Sequence, residues 1–287
     1  MGTSSRWEGP RWKGLYQRLA TWDPERSDPG ATAAAAIDAL HDACQQDPDA
    51  FGLQDAASAA GARLSDAMQV LAESGPSGLL DKIPPDGDLE PYGAEEPRPE
   101  WPDPADAFVA ELTRRVAGDG TTVVDSALRR AVAASAGRLL AVHPEVRETL
   151  HAPSGPPAGA GLASDLLCLL YRWFFADLIT EFLRTVIAEK IKLAVPVLLA
   201  TDPEGQISDF VADRILALIP NPCEEAAEDS VAEAVPPTEE GEPPESITPA
   251  PSAENPLSEV ARRLVPGTVG KILGLAIDTL GEEEPPA

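Results

Sequence analysis

The residues of this 287-residue chain that invite covalent chemistry stand at its start, Met1-Gly2-Thr3-Ser4-Ser5-Arg6-Trp7-Glu8-Gly9-Pro10. Glycine directly after Met1 favours removal of the methionine, which would expose the α-amine of Gly2. Such an amine titrates at about pH 8 in model compounds, so a useful fraction is neutral and nucleophilic. Thr3, Ser4 and Ser5 add little bulk, and the tail can thread into a narrow pocket at small steric cost. Arg6 stands where N-myristoylation would need Ser or Thr, so that modification does not account for the glycine. Trp7 and Trp12 are placed to act as anchors just outside such a pocket.

Elsewhere the chain offers no catalytic constellation. Gly267-Thr268-Val269-Gly270-Lys271 lacks both the spacing and the preceding strand of a phosphate-binding loop, and Gly159-Ala160-Gly161 lies in a proline-rich loop. There is no GxSxG elbow, and His41, His143 and His151 follow no triad order. Cys44, Cys168 and Cys223 lie far apart, without a CxxC pair and without metal-ligand spacing to the histidines. The reading is no metal site and no disulfide framework, with Cys168 a small buried hydrophobe in an apolar run. Thiols without a framework, and a start without an apolar signal region, place the chain in the cytoplasm. The expectation is a protein that is no enzyme and carries no cofactor, with a catalyst of unrecognised type as one alternative.

The segment Met1 to Pro10 resembles the start of the QatB component of the bacterial Qat anti-phage defence system, whose members begin Met-Gly-Thr-Ser with Gly-Pro shortly after. A looser likeness covers the Ala/Arg-rich stretch 128–140 and the apolar C-terminal half. Qat operons also encode an ATPase, a QueC-like enzyme and a TatD-like nuclease. The resemblance implies that this chain is the non-catalytic partner and that the QueC-like enzyme attaches a deazaguanine group to the amine of Gly2. Thr3, Ser4, Ser5, Trp7, Gly9, Pro10 and Trp12 would then form the surface that the enzyme reads.

The elements that must carry this tail are helical. Residues 1–30 read as an irregular arm with a short helix near Lys13 to Thr21, its tryptophans docked on the chain's own body or on a partner. Residues 31–74 read as a helical hairpin: Ala35, Ile37, Leu40, Ala43 and Cys44 share one face, then Ala57, Ala60, Leu64, Ala67, Met68 and Leu71 share another. Residues 75–104 hold eight prolines and read as a linker. Residues 105–222 form the helical core, and its most apolar helix is expected to turn Asp177, Glu181 and Arg184 away from Leu178, Ile179, Phe182, Val186 and Ile187. Thr201-Asp202-Pro203 starts a helix presenting Ile207, Phe210, Val211, Ile215 and Leu218. Residues 223–255 read as an acidic disordered linker, since nine acidic residues and six prolines fall between Cys223 and Pro251 without a Lys or Arg. Residues 256–287 read as an amphipathic docking helix and tail, which would bind through Leu264, Val269, Ile272 and Leu273 either on its own body or on another chain. The fold class is all-α, an irregular helical bundle.

Charge narrows the partners. With 22 basic against 48 acidic residues, net −26, the chain lacks the clustered cations of a direct nucleic-acid binder. The apolar stretch 162–200 carries eight charged residues, too many for a membrane span. A helical adaptor that docks through its C-terminal helix, without any modification, is the principal alternative.

Overall fold

Proline does more here than interrupt. In the computed structural model, which describes residues 9–23, 26–48, 50–81, 103–118, 120–151, 161–194, 203–233 and 256–275, seven helices open on it. They are α1 (Pro10–Ala20), α2 (Pro29–Gln46), α4 (Pro104–Ala117), α6 (Pro144–Leu150), α8 (Pro203–Leu216), α9 (Pro222–Glu233) and α10 (Pro256–Ile272). The first helical position has no use for its N–H, and the fixed φ of proline suits it. The other helices are α3 (Leu53–Asp81), α5 (Val123–Val142) and α7 (Ser164–Ala194); among the described residues there is no strand. Side-chain caps add to the signal: Asp28 accepts from Gly30 N at 2.8 Å and Asp103 from Ala105 N at 2.9 Å. Thr122 and Asp125 exchange reciprocal bonds in a capping box.

The all-α expectation therefore holds, and α7 is the helix on which six of the others converge. It packs on α5 and α8 over most of its length and touches α1, α3, α9 and α10. Tyr171, Phe174, Phe175 and Phe182 are fully buried, with ring centroids 4.9–5.0 Å apart among the first three. Beside α7, α1 lies on α2, α2 on α8, and α3 between α4 and α10. Gly61 on α3 makes one crossing possible. A Cβ there would stand 2.8 Å from both Phe175 Cζ of α7 and Val265 Cγ1 of α10. One apolar cluster runs from Trp12 to Leu273.

Several expectations need correction. The two alanine-rich helices do not form a hairpin core: the main neighbours of α2 are α1 and α8, whereas those of α3 are α4 and α10. The proline-rich linker does not begin at residue 75. Gly75 takes a left-handed φ of 65°, and Pro76 then starts a further helical stretch to Asp81 that buries Leu79. The acidic linker likewise gives up its first part to α9, whose Glu224 and Glu225 suit a helix N-terminus. The remainders, 82–102 and 234–255, lie outside the described residues. Cys168 is not a solitary thiol, because it is bonded to Cys223 across 55 residues, with Cα atoms 6.0 Å apart. On α8, Ile207, Val211 and Ile215 are buried, but Phe210 is 49% exposed and rests against Gly30.

Candidate functional site

Of the tail residues proposed for chemistry, Gly2, Thr3, Ser4, Ser5 and Trp7 lie outside the described residues; what is described is their mount. Gly9 is the N-cap of α1, with extended φ and ψ, and Pro10 is its first helical residue. Lys13 N donates to Gly9 O at 3.1 Å and closes the first turn. A Cβ on Gly9 would come no nearer than 3.8 Å to a neighbour, so the cap does not depend on glycine for space. From there Trp12, Leu15 and Leu19 pin α1 to the body, and Trp22 follows it into the core. Trp12 is only 1% exposed, which overturns its role as an anchor outside a partner's pocket. An indole loses most of its accessible area only against a matching surface, and α1 lies against α2 and α7. The Tyr16 ring lies 6.2 Å from that of Trp12, tilted by 32°, and burial pushes its hydroxyl up to about 12. Arg11 reaches Asp42 at 3.5 Å and Asp38 at 4.0 Å over the outside of the same junction.

The C-terminal candidates are brought together, and the chain's own body covers them. Val269, Ile272 and Leu273 are buried and Leu264 is half-buried, in a helix laid on α3, α7 and α9. Thr268 and Tyr171 share a buried hydroxyl pair at 2.9 Å, and burial raises the Tyr171 pKa above its ordinary value. The end of α10 is capped from α2: His41 Nε2 donates to Ile272 O at 3.0 Å and Gln45 Nε2 to Gly274 O at 2.8 Å. Those donors satisfy carbonyls that a helix end leaves open. In this structure α10 docks in cis, with Val269, Ile272 and Leu273 covered by the chain's own body.

Sequence periodicity missed the buried ionic groups. Asp177 faces inward, accepting from Ser135 Oγ and Arg138 Nη2 of α5, each at 2.8 Å, while the Arg138 guanidinium lies 5.4 Å from the Trp173 ring. Burial outweighs these partners and raises the Asp177 pKa. Glu111 on α4 is treated oppositely. Burial pushes it up, but Arg114 and Arg115 at 2.6–2.9 Å bring it below the usual range. Beside it a shallow, open depression of about 240 Å³ is lined by Arg63, Asp66, Ala67, Val70 and Arg115. Its arginines are engaged in mutual helix capping: Arg63 Nε donates to Val116 O of α4 at 2.7 Å, and Arg115 Nη2 to Leu79 O of α3 at 2.8 Å.

Among the described residues no cluster of three or more His, Cys, Asp or Glu could hold a metal ion, and no helix is long and apolar enough to cross a membrane. No family model, curated protein or solved structure matches the chain.

Proposed function

We propose that this chain is a non-catalytic, cytoplasmic component of a bacterial anti-phage defence system, and that its Gly2 tail is recognised and modified by a QueC-like partner enzyme that attaches a deazaguanine group. The ATPase and TatD-like nuclease of such a system are the further partners. The reading rests on the resemblance carried by Met1 to Pro10. The structural observation that supports it is the burial of Trp12, Leu15 and Leu19 directly after the Gly9-Pro10 junction. A short, small-residue tail joined to a fixed helix pays little further ordering entropy when its base is recognised. Arg11, Arg18 and the other exposed side chains of α1 offer a partner a rigid landmark beside the tail.

The test is intact mass spectrometry of the protein co-expressed with a QueC-like enzyme. Loss of Met1 plus an adduct confined to the N-terminal peptide is the expected result. Gly2→Glu should abolish the adduct and leave thermal unfolding unchanged. A Met-cleaved chain that stays unmodified with every partner combination would eliminate the reading.

A further inference from the structure

Helix α9 lies against α10 and α7, and its described side chains, 222–230, are mostly polar and exposed. Pro222 is buried and Ala226 half-buried, but Glu224, Glu228 and Asp229 are solvent-facing or nearly so. Its ion pair to α10, Arg263 with Asp229 at 2.5 Å, joins two side chains that are each about half exposed, and such pairs add little. Among the described side chains of α9, 222–230, the apolar cover is small, and an isolated helix of this length is marginal in water. The covalent link across this seam is the bond between Cys223, in its first turn, and Cys168 of α7.

We propose that Cys168 and Cys223 form a reversible thiol–disulfide clasp, closed by oxidation to hold α9 against α7 and α10 and opened by a dithiol reductant to release it. The two sulfurs differ in access: Cys168 is buried, whereas Cys223 is half-buried. A reductant thiolate attacks Cys223 Sγ, forming a mixed disulfide and expelling Cys168 Sγ, which takes up a proton. The second thiol of the reductant then displaces Cys223 Sγ, which takes up another. Two electrons and two protons pass from the dithiol to the protein, and the dithiol leaves as its own disulfide. Closure runs the other way with a small-molecule disulfide such as oxidised glutathione: the Cys223 thiolate attacks it, and Cys168 resolves the mixed disulfide.

The third cysteine stays out of this exchange. Cys44 is buried on α2, and burial followed by the nearby Asp47 pushes its thiol up to about 11, so it contributes almost no thiolate. The chain therefore has one pair to make or break. In a reducing compartment the open form is the resting state, and oxidation adds α9 to the body. The clasp stands independently of the defence reading and of Gly2.

The experiment is hydrogen exchange on the full chain, oxidised with glutathione disulfide and then reduced with dithiothreitol. Peptides covering 222–233 should exchange at least tenfold faster after reduction, while those covering α5 and residues 170–185 stay unchanged. Reoxidation should restore protection, and Cys223→Ala should match the reduced protein under both conditions. Absence of a Cys168–Cys223 linked peptide in a non-reducing digest of the oxidised chain would overturn the clasp. So would unchanged protection of α9 on reduction. Acceleration throughout the chain would also overturn it, since the bond would then be a general staple.

Discussion

Two carboxylates buried in helix seams, Glu111 on α4 and Asp177 on α7, are both held by arginine and are driven in opposite directions. The partners of Glu111 are its own neighbours at i+3 and i+4, so forming α4 alone brings Arg114 and Arg115 to it. Asp177 has one arginine and one hydroxyl, both from α5 and about forty residues earlier in the chain. Two nearby guanidiniums outweigh the cost of removing a carboxylate from water; one guanidinium and a hydroxyl do not. Ion pairing inside a helix is settled by local sequence, whereas pairing across a seam depends on the whole fold and leaves a charge poorly compensated.

The largest expected effect comes from removing the cross-seam partner. Arg138→Ala should lower unfolding free energy in urea by about 3 kcal/mol, because Asp177 is left buried with Ser135 alone. Arg115→Ala should cost about 1–2 kcal/mol, since Glu111 keeps its two-pronged contact with Arg114. Equal losses for the two variants would break the comparison. A third seam supplies an uncharged reference. Tyr171→Phe strands the hydroxyl of the buried Thr268 and should cost about 1 kcal/mol, independent of pH from 4 to 9.

The smallest effects are slopes. The native pKa of Asp177 is raised, so the folded chain holds its proton longer than the unfolded chain does. Its contribution to stability is highest at low pH and falls as pH rises from the ordinary carboxylate range through the native value. Glu111 is depressed, so its contribution is present above the ordinary Glu value and fades as pH falls through the native one. Relative to wild type, Asp177→Asn should therefore gain stability as pH rises through the first window, and Glu111→Gln should gain it as pH falls through the second. Urea midpoints measured every half unit from pH 3 to 7 would show the opposed curvatures; parallel curves would contradict the assignment.

What could be read in the sequence divides along the same line. Pro104 with Asp106 and the break at Gly118 give α4 its observed limits, and apolar spacing from Val124 to Leu139 gives α5 its buried face. These signals act within a turn or two. Asp177 shares a spacing with Glu181 and Arg184, and that pattern suggests a solvated stripe; only the arrival of α5 turns it into a seam. The same holds for Cys168 and Cys223, whose 55-residue separation carries no motif. Proline misled for another reason, because the residue that breaks a helix interior also opens a helix. Pro76, read as linker, stands at a helix start, and Pro222, read as the end of the core, opens a helix that runs into the stretch read as linker. At the N-terminus, the number of tryptophans signalled docking, and the burial of Trp12 and Trp22 answers where.

The contact that closes α10 on α2 also sets a schedule for synthesis. His41 and the Ile272 carbonyl it caps are separated by 231 residues, and at roughly 5–20 residues per second a ribosome needs on the order of 12–46 s to make the second after the first. Until α10 is made, the face of α3 that will receive it has no partner on the emerging chain. That face of α3 is thus obliged to wait uncovered, and its alanines limit how much it offers to a wrong partner. A nascent chain stalled before residue 256 should engage ribosome-associated chaperones longer than one released after residue 275, because α10 covers the waiting face of α3.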